Sequence, residues 1–121
     1  MAEFKDLLGK TFTSVVNHLD EELIFTVSEN EKYMLYHEQG CCEQVTIEDI
    51  VGDLDDLVGS PILIAEESIS DTNPEEYKHD EYQDSFTWTF YKLATVKGYV
   101  TIRWYGESNG YYSESVDFAA I

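Results

Sequence analysis

The chain has 121 residues, and its 25 acidic against 7 basic side chains give a formal net charge of −18 at pH 7. Such a charge repels nucleic acid and anionic lipid, and it attracts basic surfaces over about 8 Å at physiological salt. The hydrophobic fraction of 43% and the aromatic fraction of 14% exclude a disordered acidic chain. The length predicts a single domain over residues 1–121.

The composition also bears on location and on cysteine chemistry. The sequence lacks the roughly 20-residue apolar run that a membrane-spanning helix needs, so no membrane association is expected. Residues 1–10 lack the basic start and apolar centre of a signal peptide, which predicts a cytoplasmic protein. Cys41 and Cys42 are adjacent, and since a disulfide between neighbours would be strained, free thiols are expected.

Short strands are predicted along the first third of the chain. Residues 3–8 favour one helical turn. Side chains typical of strands then fill three segments, which span residues 10–17, 23–28 and 32–38. Polar turns at 20–22 and 29–31 separate these segments, so the simplest arrangement is an antiparallel meander. Residues 42–45 are predicted to add a fourth short strand.

Residues 46–58 are predicted to form a helix. Thr46 is a favourable N-cap, and Asp49 follows at the capping-box position. Apolar residues recur at spacings of three and four, which would place them on one helical face: Ile47, Ile50, Val51, Leu54, Leu57 and Val58. Gly59 and Pro61 are expected to end this helix.

The rest of the chain predicts further strands and one long connection. Residues 62–65 form an apolar run typical of a buried strand, and residues 66–84 form an acidic loop, a length that is often functional. Alternating aromatic residues predict C-terminal strands over 86–91, 99–105 and 112–118. The predicted fold class is α+β, with a twisted antiparallel sheet of about seven or eight strands and one helix packed on a face.

The C-terminal hairpin contains Arg103, the only arginine of the sequence. We expect Phe86, Trp88, Phe90, Val100, Ile102 and Trp104 to point inward, and Tyr99, Thr101, Arg103 and Tyr105 to share the opposite face. A guanidinium between aromatic rings can hold a phosphate or carboxylate in a bidentate manner. The residues of this ligand site would be Tyr99, Arg103, Tyr105, Asn109 and Tyr111. The competing interpretation is that Arg103 neutralises neighbouring carboxylates.

Residues that can bind metals cluster near the middle of the sequence, where His37, Cys41 and Cys42 lie beside Glu38 and Glu43. Adjacent cysteines fit a tetrahedral site poorly, so the favoured interpretation is two thiols packed at a strand edge. Carboxylates are too abundant to single out a catalytic pair, and no catalytic motif is present. The sequence therefore predicts no metal, no cofactor and no enzymatic activity.

The acidic surface favours a basic protein partner. The net charge exceeds the magnitude of roughly 2–8 that solubility of a small domain requires. Rows of carboxylates can imitate the phosphates of DNA, and such a protein would bind no nucleic acid directly. The carboxylates expected to contact the partner are Glu48, Asp53, Asp55, Asp56, Glu66, Glu67, Glu75 and Glu76. An exposed edge strand would also allow a homodimer.

Three parts of the sequence resemble a family of small acidic proteins common in phage and prophage genomes. These are residues 36–43, 59–63 and 86–118, and the last contains the runs TWTFYKL and RWYGESNGYY. The resemblance covers residues 7–118 apart from the acidic loop. It implies a phage or bacterial cytoplasmic setting and carries over no catalytic residues. With the charge, it predicts an inhibitor of a host nucleic-acid-binding or defence protein; the alternative is a protein that sequesters a phosphorylated ligand or signalling nucleotide at Arg103.

Overall fold

The computed structural model describes residues 3–38, 43–70, 85–108 and 114–121. Two short 3₁₀ helices occur there, η1 (Phe4–Leu7) and η2 (Leu54–Leu57). The strands in chain order are β1 (Ser14–His18), β2 (Glu22–Ser28), β3 (Glu31–Tyr36), β4 (Gln44–Val51), β5 (Ile64–Ser70), β6 (Ser85–Thr95), β7 (Gly98–Ser108) and β8 (Asp117–Ala120).

These strands form two four-stranded antiparallel sheets. The first sheet has the order β1-β2-β3-β8, and the second has the order β4-β7-β6-β5. The predicted meander of the first three strands is confirmed, because Ile24 of β2 pairs with Val16 of β1 on one side and with Met34 of β3 on the other. In the second sheet, β6 and β7 form the longest hairpin.

The predicted α+β fold class is wrong. The described residues form two sheets rather than one, and no α-helix packs on either of them. The helix predicted over residues 46–58 is instead an edge strand, β4, followed by the single 3₁₀ turn η2. This part of the chain is therefore a β-structure whose apolar spacing resembled that of a helix.

A β-bulge explains the misleading spacing. Val45 and Ile47 are buried and alternate as strand residues do. The pairing register then shifts between Ile47 and Asp49, which inserts one extra residue into β4. The next side chain against the core is consequently Ile50, opposite Ile102, three positions after Ile47. β-Branched residues also favour a strand over a helix.

The two sheets enclose one hydrophobic core. Its fully buried side chains include Leu23, Phe25 and Leu35 from the first sheet and Leu93, Ile102 and Trp104 from the second. Leu7, Phe12 and Leu57 extend the same core beyond the strands. Because side chains alternate along each strand, these inward positions determine which residues the outer faces present.

The acidic loop predicted over residues 66–84 begins inside a strand. Residues 66–70 belong to β5, where Glu66 pairs with Lys92 of β6. Residues 71–84 lie outside the described residues. At the C-terminus, the strand predicted over 112–118 overlaps the observed β8 (Asp117–Ala120), which pairs with β3, only at residues 117 and 118. Residues 114–116 are not in a strand, and residues 112 and 113 lie outside the described residues.

Candidate interaction surface

Aromatic side chains lie on the outer face of the second sheet. The register pairs Trp88 with Tyr105 and Phe90 with Arg103, and directly opposed residues share a face. The register therefore places Phe86, Trp88 and Phe90 away from the core, against the predicted inward orientation, although Trp88 is fully buried on this outer face. The predicted inward orientation of Val100, Ile102 and Trp104 is confirmed. The large apolar residues by which β6 joins the core are instead Tyr91 and Leu93. Both faces of β6 carry apolar residues, so alternation alone did not determine which face is buried.

The bulge in β4 places two carboxylates against Arg103. The Nε atom of Arg103 lies 2.6 Å from Oε2 of Glu48, and its terminal nitrogen lies 4.0 Å from Oδ2 of Asp49. The guanidinium also lies 5.3 Å from the ring centre of Trp88. The Arg103 side chain is 16% exposed. An incoming phosphate would thus have to compete with carboxylates already in place.

The structure brings together only part of the predicted ligand site. The Tyr105 ring lies 4.6 Å from that of Trp88, on which Arg103 stacks, so Tyr105 and Arg103 belong to one cluster. Tyr99 lies four positions from Arg103 on β7, about 13 Å away, with the Lys92 ammonium over its ring. Asn109 and Tyr111 lie outside the described residues. Anion binding at Arg103 stays a prediction.

The predicted partner-binding carboxylates lie at both edges of the second sheet. Glu48, Asp53 and Asp55 are exposed in β4 and at the start of η2, with the half-buried Asp56 beside them. Exposed Glu66 and Glu67 belong to β5, the opposite edge strand. Glu75 and Glu76 lie outside the described residues. We call the first group the β4 acidic edge and the second group the β5 acidic edge.

Local hydrogen bonds fix the chain at the β4 acidic edge. Asp53 caps η2 by accepting a hydrogen bond from the Asp55 amide at 3.0 Å. Thr95 donates to the carbonyl oxygen of Asp56 at 2.5 Å, and the Lys97 ammonium donates to the carbonyl of Val58 at 2.5 Å. These contacts hold η2 against the β6–β7 hairpin, so its carboxylates have a defined position.

A separate charged trio lies at the other sheet. The Glu31 carboxylate receives hydrogen bonds from Lys10 and from the Tyr33 hydroxyl, each at 2.5 Å. These two donors lower the pKa of Glu31, and the same carboxylate raises the pKa of Lys10 and of Tyr33. In this trio, the positive charge of Lys10 is compensated by an acid of the same protein. The trio does not involve the other carboxylates, which can interact with a partner.

A buried polar cluster lies at one end of the sandwich, and sequence reasoning had grouped only two of its members, His37 and Glu43. His37 accompanies Glu43, with side chains only 4% and 2% exposed, and Nε2 of His37 lies 3.4 Å from Oε2 of Glu43. The other ring nitrogen, Nδ1, lies 2.8 Å from the carbonyl oxygen of Ser115. Nearby in the chain, the buried Glu114 accepts hydrogen bonds from Thr87 and Ser108. We call His37, Glu43 and Glu114 the buried polar cluster.

The metal interpretation weighed for this segment involved Cys41 and Cys42, which lie outside the described residues. Within the ranges that the structure describes, no group of three or more His, Cys, Asp or Glu side chains is arranged to hold a metal ion. His37 and Glu43 are nonetheless adjacent, as their proximity in sequence suggested. The contact with Ser115, 78 positions away, had no local sequence signal.

Tyr91 contributes a buried hydroxyl on the core side of β6. This side chain is fully buried, and its hydroxyl has no hydrogen-bond partner among the described residues. Burial, reinforced by the charges of Glu67 and Asp117, raises the pKa of Tyr91. The hydroxyl is therefore held neutral, because burial and the neighbouring Glu67 carboxylate both oppose its ionisation.

The fold and the surface together define a protein class: a two-sheet β-sandwich that carries carboxylates along both edges of one sheet. The chain belongs to the family defined by the domain of unknown function DUF7448, whose sequence profile matches residues 5–118. No curated protein and no solved structure showed significant similarity to the chain. None of the helices in the described segments is long and apolar enough to span a membrane.

Proposed function

We propose that this protein acts by binding, without catalysis, and that it presents its carboxylates to a basic protein surface. The observation that carries the proposal is the placement of exposed acids on both edges of the second sheet. The net charge of −18 gives this surface a long-range attraction for cationic partners and costs the fold self-repulsion. Because this self-repulsion destabilises the fold, the high charge is consistent with selection for binding a cationic partner.

The spacing of the two edges supports mimicry of nucleic acid. The β4 acidic edge and the β5 acidic edge are three interstrand spacings apart, which corresponds to about 14 Å. The major groove of B-DNA, flanked by two rows of phosphates, is roughly 12 Å wide. A basic cleft that accommodates DNA would therefore contact two rows of carboxylates on this protein, and their separation is similar to that of the two phosphate rows of DNA.

In its finer form, the proposal is an inhibitor of a host nucleic-acid-binding or defence protein, encoded by a phage and acting in the bacterial cytoplasm. Its support is the charge together with the sequence resemblance to small acidic proteins of phage genomes. The same charge disfavours a homodimer through the acidic edges, because two copies would bring like charges together. Pairing through β1 or β8, the edges of the first sheet, is not subject to this argument.

The experiment is displacement of a fluorescent DNA duplex from a panel of bacterial DNA-binding proteins, followed by anisotropy. We expect the protein to release the duplex from at least one of them. The double variant Asp55→Asn/Glu66→Gln, with one change at each acidic edge, should weaken displacement severalfold, since exposed ion pairs contribute roughly 0.2–1 kcal/mol each.

The matched control is Glu29→Gln/Glu38→Gln, which removes the same charge from exposed positions outside the acidic edges. This control should displace DNA almost as well as the unchanged protein. Equal weakening by the two double variants would mean that net charge alone acts, and failure to displace DNA from any panel member would reject the mimicry.

A further inference from the structure

The outer face of the first sheet carries a continuous row of apolar side chains. Directly opposed residues of antiparallel strands share a face, and the register aligns one apolar residue from each of the four strands. These residues are Val16, Ile24, Met34 and Ala119, which we call the apolar row. Val16 is 50% exposed, and the other three are half-buried. The row therefore presents apolar surface across the full width of the sheet.

The same face carries little charge. Because side chains alternate along a strand, the residues two positions from the apolar row lie on this face as well. On one side of the row these are His18, Glu22, Tyr36 and Asp117, and on the other side they are Ser14, Thr26, Lys32 and Ile121. Two carboxylates and one ammonium group thus flank the row, in a chain whose net charge is −18. A basic partner is attracted to the acidic edges of the second sheet more than to this face.

The side chains of this face are arranged in a self-complementary way. Lys32 and Tyr36 lie two positions from Met34 on opposite sides, so a twofold axis along the apolar row would exchange their places. Lys32 of one copy would then lie over the Tyr36 ring of the other copy, a favourable cation–π geometry. Glu22 lies beside Tyr36 on the neighbouring strand, about 5 Å away, and would compensate the ammonium charge. The Glu22 side chain is 40% exposed, although it also contacts His18 at 3.4 Å.

The location of the acidic edges allows two strongly acidic copies to meet at this face. Stacked sheets lie about 10 Å apart, so the second sheets of two copies joined through their first sheets would be about 30 Å apart. That separation is several Debye lengths at physiological salt. Asp20, Glu21 and Glu29 lie closer, in the turns at the rim of the face, and added salt screens their repulsion.

We propose that the outer face of the first sheet binds a second copy of this chain, and that the two apolar rows pack on each other in a twofold homodimer. Each apolar residue then contacts its own counterpart, and the contact of Lys32 with Tyr36 and Glu22 forms twice. The interface spans four strands and three rows of side chains, which is small for a specific interface, so the expected affinity is micromolar. This inference goes beyond the proposed function and involves packing of faces, not pairing of edge strands.

The test is sedimentation velocity of the full chain from low micromolar to several hundred micromolar concentration, at low and at moderate salt. We expect a reversible monomer–dimer equilibrium that shifts toward the dimer as salt is added, because screening reduces the repulsion between the copies. Concentration-dependent amide shifts in NMR spectra should be confined to β1, β2, β3 and β8. A monomer under all these conditions would overturn the proposal, and so would shifts located on the second sheet.

A variant in the apolar row tests the packing itself. Val16→Lys reduces the net negative charge, yet it should abolish the dimer, because the twofold axis brings two ammonium groups together. The matched control is Val51→Lys, the same change at a residue that is 60% exposed on the second sheet. This control should dimerise at least as well as the unchanged chain. Unchanged dimerisation of Val16→Lys would overturn the proposal.

A charge exchange tests the orientation of the two copies. Lys32→Glu should weaken the dimer about tenfold, because it places a carboxylate against Glu22 of the second copy. Lys5→Glu, the same change at an exposed position of η1, should have a much smaller effect. The double variant Glu22→Lys/Lys32→Glu keeps the net charge of the unchanged chain and should restore the dimer with reversed polarity. Failure of the double variant to restore association would overturn the proposed arrangement.

The sign of the salt dependence separates this inference from the proposed function. Binding to a basic partner weakens as salt is added, whereas self-association through the apolar row strengthens. If the chain dimerises but displaces DNA from no binding protein, the interface is retained and the charge mimicry is wrong. If a chain that stays monomeric displaces DNA, only the interface is wrong.

Discussion

Arg103 and His37 are both nitrogen-containing side chains that lie against carboxylates. The two pairs differ in the distance between nitrogen and oxygen and in their burial. The guanidinium of Arg103 donates to Glu48 at 2.6 Å and lies over Trp88. Nε2 of His37 lies 3.4 Å from Oε2 of Glu43, and both side chains are almost completely buried. Arg103 thus has its charge compensated by a short contact at a sheet edge, whereas His37 meets its carboxylate at a longer distance inside the fold.

This comparison separates an ion pair at a sheet edge from a polar pair buried inside the fold. The lone arginine was the more conspicuous residue in the sequence, because it is flanked by tyrosines. In the structure it joins β4 to β7 and covers an aromatic side chain. The histidine had been considered only as a metal ligand, and in the structure it lies beside the buried Glu43 and lines a cavity of about 490 Å³.

The largest expected effect comes from removing Arg103. Arg103→Ala should lower the free energy of unfolding by about 2 kcal/mol, since it removes the ion pair with Glu48 and the stacking on Trp88. Urea denaturation measures this, and Arg103→Lys, which keeps the charge without the planar group, should lose about half as much. A negligible loss for Arg103→Ala would mean that this residue is free to bind a ligand instead.

Two isosteric changes sharpen the comparison further. Glu48→Gln should destabilise the protein by about 1 kcal/mol, because the arginine loses a charged acceptor. Glu43→Gln should also destabilise it, because the buried carboxylate beside His37 loses its charge and part of its contacts. Thermal or urea unfolding of both variants measures the two losses of free energy of unfolding. Stabilisation by Glu43→Gln would show that the buried carboxylate has no favourable contact in the fold.

Tyr91 extends the comparison to a buried donor without an acceptor. Its folded pKa is raised above the ordinary value of 10.0, so the stability linked to this hydroxyl is intact below pH 10 and is lost as the pH rises further. Tyr91→Phe should raise stability at pH 7 by about 0.5–1 kcal/mol and reduce alkaline unfolding.

Urea titrations at pH 7 and above pH 10 measure both effects of Tyr91→Phe, and Tyr99→Phe on the exposed surface is the control. The control should change neither value. A loss of stability in Tyr91→Phe at pH 7 would indicate that the hydroxyl has a favourable contact in the fold.

Local sequence signals predicted the meander of β1, β2 and β3, because alternation and polar turns specify neighbouring strands directly. They failed over residues 46–58, where one inserted residue in β4 converted a strand period into a helix-like one. They also failed for the face of β6, since the register of a hairpin depends on its turn as well as on its alternation.

The candidate site was predictable only in part. The exposed acids of β4, η2 and β5 were predicted from the sequence, since surface carboxylates need no long-range information, whereas the basic partner that the charge favours stays a prediction. The pairing of Arg103 with Glu48 joins positions 55 residues apart, and that of His37 with Ser115 joins positions 78 apart. Such contacts arise from sheet packing, and no spacing within a single segment encodes them.

The most direct test of the account is the salt dependence of binding to a DNA-binding protein from which this protein displaces the duplex. Affinity measured by calorimetry from low to moderate salt should fall steeply, because ion pairs at the two acidic edges are screened. The Asp55→Asn/Glu66→Gln variant should show a shallower slope than both the unchanged protein and the Glu29→Gln/Glu38→Gln control. An affinity that does not change with salt would contradict the central claim that this protein binds through its acidic edges.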